Sequence, residues 1–251
     1  MVPLHLKELV LIDMSLDWGQ IDILSPTFVY LEELYLVRNN CSVICSKYKI
    51  NKDTWKNLRM LNLEQNGITD WDELSEFRVL KDFNRLIINK NQIKKITQKN
   101  GFNSLEVISI EDNLISDWKS IDQLNEFGQA IAGQFGQAKK IKQIRCSGNP
   151  LLPKFNFDAS KEEMQLRAQL RETVTARMEF LTSYNGMKIS KSDRADAERL
   201  YVQYAYKEYL TQMKVDNKAL RVISSIEDED FAKYILEHHP RWYELAHKSE
   251  F

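Results

Sequence analysis

A nine-residue pattern, Leu-x-x-Leu-x-Leu-x-x-Asn with Ile, Phe or Cys admitted for Leu, recurs six times and dictates what the first 150 residues can fold into. It runs through Leu6, Leu9, Leu11 and Met14; Leu31, Leu34, Leu36 and Asn39; Leu58, Leu61, Leu63 and Asn66; Phe83, Leu86, Ile88 and Asn91; Leu105, Ile108, Ile110 and Asn113; and Ile141, Ile144, Cys146 and Asn149. The closing positions lie 25, 27, 25, 22 and 36 residues apart. The two apolar residues spaced by two share one face of a short strand and point into a core. The Asn that follows turns inward to hydrogen-bond the backbone of a turn that would otherwise be unsatisfied, so it repeats as a ladder. Met14 in its place suits an end coil, which has no neighbour below to satisfy.

A second apolar position follows each Asn, at Ile68, Ile93, Ile115 and Leu151, and Trp71 and Trp118 recur at one offset to pack the convex side. One repeat cannot bury its own apolar face, whereas stacked neighbours can. The expected fold is therefore α/β: a leucine-rich repeat solenoid, a right-handed βα superhelix of about six repeats over 1–153, ended by Pro150 and Pro153. The longest interval contains three glycines between Gly128 and Gly136 and is expected to be a convex loop or short helix. No Lys-Ser/Thr follows the last glycine, so it is not a phosphate-binding loop.

From Asp158 the apolar period changes to that of a helix. Leu166, Leu170, Val174, Met178 and Leu181 form one stripe, starting at Asp158 or Ser160 and stopped by Asn185-Gly186. Ser190 with Asp193 opens a second helix in a near capping-box arrangement, with Ala197, Leu200, Tyr201, Tyr204, Ala205 and Met213 on its buried face. A third helix is expected over 227–237, before His238-His239-Pro240, with a final turn or two at 241–245. This helical segment, 154–251, is expected to cap the last coil, since a solenoid needs its open end covered.

Composition narrows the function. Lys and Arg total 35 against 36 Asp and Glu, a net charge of -1, so no global field draws the chain toward nucleic acid or anionic lipid. No apolar run approaches the roughly 18 residues of a membrane span. The start lacks a signal peptide's basic and apolar regions. Three cysteines make no disulfide framework, and Cys41 and Cys45 lack the second Cys/His pair that a structural zinc requires. There is no Gly-x-Ser-x-Gly, no His at helical spacing with a Glu, and no paired carboxylate pattern, so a non-enzyme without cofactor or metal is expected.

Residues alternating with the core leucines face out of the concave side and are the expected protein-binding set: Tyr35, Val37, Met60, Asn62, Glu64, Arg85, Asn89, Glu111 and Arg145. Glu8, Val10, Ile12, Glu33, Ile87, Val107, Ser109, Gln143 and Ser147 alternate in the same way. The set mixes apolar, aromatic and both charge signs. That suits a protein better than nucleic acid, whose phosphates would call for Lys or Arg on most rungs. Tyr35, Met60 and Arg85 are the expected anchors. Lys90, Lys94, Lys95 and Lys99 form a basic run read as a solvated convex loop.

A more specific signal lies in Ile68-Thr69-Asp70-Trp71, Ile115-Ser116-Asp117-Trp118 and Asn149-Pro150-Leu151, then Arg177, Tyr184-Asn185-Gly186, Ile189-Ser190, 193–201 and His239-Pro240-Arg241-Trp242. With these residues the chain resembles the tubulin-specific chaperone E (tubulin folding cofactor E) family over nearly its whole length, most specifically at 177–201 and 239–242. Members of that family carry flanking CAP-Gly and ubiquitin-like domains, for which no room is expected before Leu6 or after Trp242. The resemblance implies a cytoplasmic, cytoskeleton-associated, monomeric module. It would bind α-tubulin, and other tubulin-folding cofactors, and help assemble or take apart the α/β dimer without a chemical step. The alternative is a leucine-rich regulatory or scaffold subunit that holds another protein, such as a phosphatase. Arg194, Asp196, Glu198 and Arg199 are expected to form a structural ion-pair set.

Overall fold

The computed structural model describes residues 5–97, 102–127, 140–156, 158–212 and 229–248. The Gly128–Gly136 stretch, Lys99 and Met213 lie outside the described residues. The chain divides into two compact units, Met1–Lys154 with Phe180–Met187, and Phe155–Glu179 with Lys188–Phe251.

In the first unit each copy of the repeat supplies one three-residue strand: β1 (Glu8–Val10), β2 (Glu33–Tyr35), β3 (Met60–Asn62), β4 (Arg85–Ile87), β5 (Val107–Ser109) and β6 (Gln143–Arg145). They pair in parallel and in chain order. Leu9, Leu34, Leu61, Leu86, Ile108 and Ile144 fall in one register row. From Leu34 onward this row and the next (Leu36, Leu63, Ile88, Ile110, Cys146) are fully buried, whereas Leu9 and Leu11 are half-buried at the end strand. The strands are short because the chain leaves the sheet at a fixed point. The residue before each ladder position, Asp13, Arg38, Gln65, Lys90, Asp112 and Gly148, has positive φ. A left-handed side chain costs on the order of 1–2 kcal/mol. It is held there because the N–H of each of the first five donates to the next coil, from Asp13 to the Val37 carbonyl (2.9 Å) through Asp112 to the Ser147 carbonyl (3.0 Å). Gly148 is required on a second ground, since a Cβ there would meet Asp112 Oδ1.

The asparagines staple coil to coil. Asn39 Nδ2 donates to the Leu11 carbonyl (2.7 Å), Asn66 to Leu36 (2.7 Å), Asn113 to Ile88 (3.0 Å) and Asn149 to Ile110 (2.9 Å). Each also accepts a backbone N–H from the preceding coil. On the other side of the core, Asp-Trp pairs start the return segments: α1 (Trp18–Leu24), a 3₁₀ helix (Trp71–Val79) and α2 (Trp118–Glu126). The aspartates are N-caps: Asp17 accepts from Gln20 N–H and Asp117 from Ser120 N–H (both 2.9 Å), and Asp70 caps its segment at Asp72. Trp18 and Trp71 enter the core, and Phe77, Phe83, Phe102 and Phe127 pack in series beside them, with successive ring centroids 5.8–5.9 Å apart.

The end of the sheet differs from the sequence expectation. The helical stripe predicted through Leu181 stops earlier, because α3 (Lys161–Arg177) ends at Met178 with extended backbone. The chain then forms β7 (Ser183–Tyr184), parallel to β6, and β8 (Met187–Lys188). Ser183 N–H donates to the Lys142 carbonyl (3.1 Å) and Asn185 N–H to Ile144 (2.8 Å). Asn185-Gly186 does not stop a helix. With φ of 48° and 82° it makes the two-residue turn between these strands, a geometry with positive φ at both positions that Asn-Gly favours.

In the second unit, Ser160 rather than Asp158 caps α3, in a reciprocal box with Glu163. Val174 and Met178 are buried, but Leu170 is half-buried and Leu166 is 44% exposed, so the predicted stripe covers only the last turns. Ser190 and Asp193 exchange hydrogen bonds (both 3.0 Å) to open α4 (Lys191–Gln212), and these bonds lower the Asp193 pKa. α5 (Glu229–His238) and α6 (Trp242–Lys248) follow. Phe231, Tyr234, Ile235, Trp242 and Leu245 pack with Tyr201, Val202, Ala205, Tyr209 and Leu210 of α4. Leu200 and Tyr204 are half-buried.

Candidate protein-binding face

Sheet pairing arranges the outward residues in three register rows. The first reads Glu8, Glu33, Met60, Arg85, Val107, Gln143; the second Val10, Tyr35, Asn62, Ile87, Ser109, Arg145. Ile12, Val37, Glu64, Asn89, Glu111 and Ser147 follow two residues further on.

Six of the nine predicted residues line one depression of about 480 Å³: Asn62, Glu64, Arg85, Asn89, Glu111 and Arg145. Within it, Asn62 Oδ1 accepts from Glu64 N–H (2.9 Å), and Asn89 Oδ1 accepts from Ser109 Oγ (2.7 Å) and Glu111 N–H (2.9 Å). The two asparagines thus fix the backbone at the concave rim rather than stand free. Glu64 is ion-paired to Lys90 at 2.6 Å, and Glu111 accepts from Ser147 Oγ at 2.7 Å. Arg85 and Arg145 are exposed, and neither guanidinium makes a hydrogen bond or ion pair among the described residues.

The other three lie elsewhere. Tyr35 is half-buried; its hydroxyl donates to Glu33 Oε2 at 2.8 Å, and that bond, with burial, pushes its pKa up to about 12. Val37 is half-buried beside the exposed Val10 and Ile12 coil. Met60 does not serve as an exposed anchor: in register between Glu33 and Arg85, this unbranched apolar side chain is buried, at 5% exposure. Ser109 is buried as well. Ser183 and Gly186 also line the depression but were not among the predicted residues. Asn185-Gly186, flanked by short strand-like runs, was the signal that could have found them.

Lys90 belongs to the concave rim through Glu64, which raises its pKa, while Lys94 and Lys95 are simply exposed. Among the described residues, no group of three or more His, Cys, Asp or Glu comes together to hold a metal. Burial pushes the Cys41 and Cys45 thiols up to about 12, so both stay protonated. No helix of the described residues is long and apolar enough to cross a membrane.

No protein-family model matches the chain. Tubulin-folding cofactor E of Arabidopsis thaliana is 28% identical over 252 aligned residues, which cover 96% of this chain and 40% of that protein. Tubulin-specific chaperone E of Xenopus laevis is 26% identical, covering 97% of this chain and 42% of that protein. The tubulin-specific chaperone cofactor E-like protein of Homo sapiens is 24% identical, covering 79% and 42%. This chain is similar to tubulin-folding cofactor E. It spans about two fifths of the length of these relatives. Among solved structures, the Drosophila melanogaster SNF/U2A′ complex matches at a TM-score of 0.48 and 16% identity, over 69% of this chain and 84% of that one. Internalin C2 of Listeria monocytogenes matches at 0.38 and 15%, over 73% and 74%.

Three of the residues that carry the resemblance to cofactor E in the second unit, Arg177, Tyr201 and His239, meet in one buried network. Arg177, 1% exposed, donates from Nη2 to the His238 carbonyl (2.7 Å), lies 3.3 Å from His239 Nδ1, and stands over the Tyr201 ring. Tyr201 OH is 3.2 Å from the same Nδ1. Burial first, then Arg177, pushes His239 down to about 3, so the imidazole is neutral. With Nδ1 facing two donors, its proton belongs on Nε2, 3.7 Å from Glu208 Oε2. Arg241 reaches the Ala176 carbonyl and pairs with Glu244 at 3.1 Å. Arg194 donates to the Thr175 (2.9 Å) and Met178 (3.2 Å) carbonyls at the end of α3 and pairs with Glu198 at 3.4 Å; Arg199 pairs with Asp196 at 3.6 Å. Arg177, Arg194 and Arg241 satisfy carbonyls at helix ends, whereas the Arg199–Asp196 pair is exposed.

Proposed function

We propose that this chain is a tubulin-binding chaperone module of the tubulin-folding cofactor E family. It binds α-tubulin through the concave face of a six-repeat leucine-rich solenoid and helps assemble or take apart the α/β dimer, in the cytoplasm and together with other tubulin-folding cofactors. It acts by binding energy, with no chemical step. The observation that carries the reading is similarity to cofactor E across 96% of the chain, helical unit included. A depression of mixed polarity, on a sheet whose first strand carries the exposed apolar side chain of Val10, is compatible with a protein partner.

Retention of purified α/β-tubulin on the immobilised chain tests this. Tubulin is expected to be retained, and Glu64→Lys with Arg85→Glu to weaken retention. No retention of tubulin, with a phosphatase captured from extract instead, would move the assignment to a regulatory subunit. Undiminished retention by the double variant would move the contact off the concave face.

A further inference from the structure

We propose that the β4–β6 part of the concave face recognises an extended acidic segment in which two carboxylate side chains flank an apolar one at alternate positions. The inference rests on the reading of this face as the docking surface. Four charged side chains line the depression: Glu64, Arg85, Glu111 and Arg145. Glu64 is neutralised by Lys90 at 2.6 Å, and Glu111 is engaged by the Ser147 hydroxyl at 2.7 Å. Both carboxylates are half-buried, whereas both guanidiniums are exposed and have no hydrogen-bond or ion-pair partner among the described residues. The charged groups of the depression that lack a partner are therefore cationic and stand in its accessible layer. A guanidinium fork matches a carboxylate in geometry and charge.

Register fixes the spacing. Arg85 pairs with Val107 on β5, and Ser109, two residues on, pairs with Arg145 on β6. The two arginines are thus two strands and two residues apart, roughly 12 Å between Cα atoms at ordinary sheet dimensions. An extended chain places residues i, i+2 and i+4 on one side, with i and i+4 about 13 Å apart. Acidic residues at i and i+4 then meet Arg85 and Arg145 together. The residue at i+2 lies over β5 between half-buried Val107, which is in register with Arg85, and buried Ser109, in register with Arg145, and Val107 supplies its apolar contact. Glu111 on the next row, which has no ion pair among the described residues, disfavours a polyanion, whose charges could not all avoid it.

The test is fluorescence anisotropy of the full chain with a labelled synthetic nonapeptide, Ser-Ser-Glu-Ser-Val-Ser-Glu-Ser-Ser. Saturable binding is expected. Arg85→Ala with Arg145→Ala is expected to weaken it at least about ten-fold, as is replacing both peptide Glu by Gln or making them adjacent. Both arginines are exposed, and matched thermal melts of variant and parent establish that the variant is folded. An affinity unchanged by the double variant, or equal for the spaced and adjacent peptides, overturns the proposal, as does absence of binding. Tubulin retention is measured on the same two proteins. Tubulin bound without peptide recognition sinks the acidic segment and leaves the tubulin reading; peptide recognition without tubulin does the reverse.

Discussion

Asn91 Nδ2 donates to the Leu63 carbonyl at 3.0 Å, one coil back in the solenoid. Its Oδ1 accepts from Asn66 N–H and Ile68 N–H, both at 3.0 Å, so one side chain satisfies three buried backbone groups of the preceding coil. Asn91→Ala leaves all three without a partner in a site closed to water. At about 1–3 kcal/mol for each buried unsatisfied group, a loss of at least about 3 kcal/mol is expected, read as a lowered urea midpoint. Asn91→Asp keeps the acceptor but turns a carboxylate oxygen toward the Leu63 carbonyl, so it does not restore stability. A variant within about 0.5 kcal/mol of the parent would refute the ladder as a source of stability.

His239 links the second unit to pH. Its pKa is pushed from 6.5 down to about 3 in the fold by burial and the Arg177 charge. A depressed histidine pKa means that the unfolded chain binds the proton first. The neutral ring's contribution is therefore complete above pH 6.5 and is lost as pH falls from 6.5 toward 3, at up to about 1.4 kcal/mol per unit. Urea midpoints followed by Trp fluorescence should fall over that window, and His239→Gln should flatten the slope there. An unchanged slope would mean that the ring titrates normally.

The exposed start of α3 gives a contrast within one helix. Leu166 is 44% exposed, whereas Val174 is fully buried two turns on. Leu166→Glu should shift stability by no more than about 0.5 kcal/mol, and Val174→Asp should cost about 3 kcal/mol or more, since it buries a charge without a partner. Equal effects in denaturant melts would show that the apolar stripe is buried along its length.

What could be read from the sequence follows from which signals are local. The rows at Leu34, Leu61 and Leu86 were legible because a two-residue period, closed by Asn at near-constant spacing, has one stacking solution. Strand alternation also placed Glu64, Arg85, Glu111 and Arg145 on one face. It fixes the face and not the depth, so Met60, on that face yet buried, was misjudged. The last strand was hidden because Met178 and Leu181 keep a helical spacing while Ser183-Tyr184 carries no repeat. The contact of Arg177 with His239 joins positions 62 residues apart, and no spacing rule reaches across that distance.

The Asn185-Gly186 turn provides the sharpest local test. Gly186 has φ of 82°, a region that a side chain enters at a cost, while Asn185 at 48° tolerates it. A Cβ at Gly186 would stand 3.6 Å from Arg145 Nη2, an ordinary contact, so the expected penalty of Gly186→Ala comes from backbone conformation alone. A loss of about 1–2 kcal/mol is expected, and Gly186→Val, β-branched as well, should lose more. If Asn185-Gly186 merely ended a helix, Asn185→Gly with Gly186→Asn would be nearly silent. In a turn with positive φ at both positions the swap removes the favoured order and also Asn185 Oδ1, which accepts from Cys146 N–H at 2.9 Å, and the effect should be about 1–3 kcal/mol. Urea melts of the three variants separate the two cases. Because the turn also closes the depression, Gly186→Val should weaken binding of the acidic nonapeptide, whereas Leu166→Glu should not.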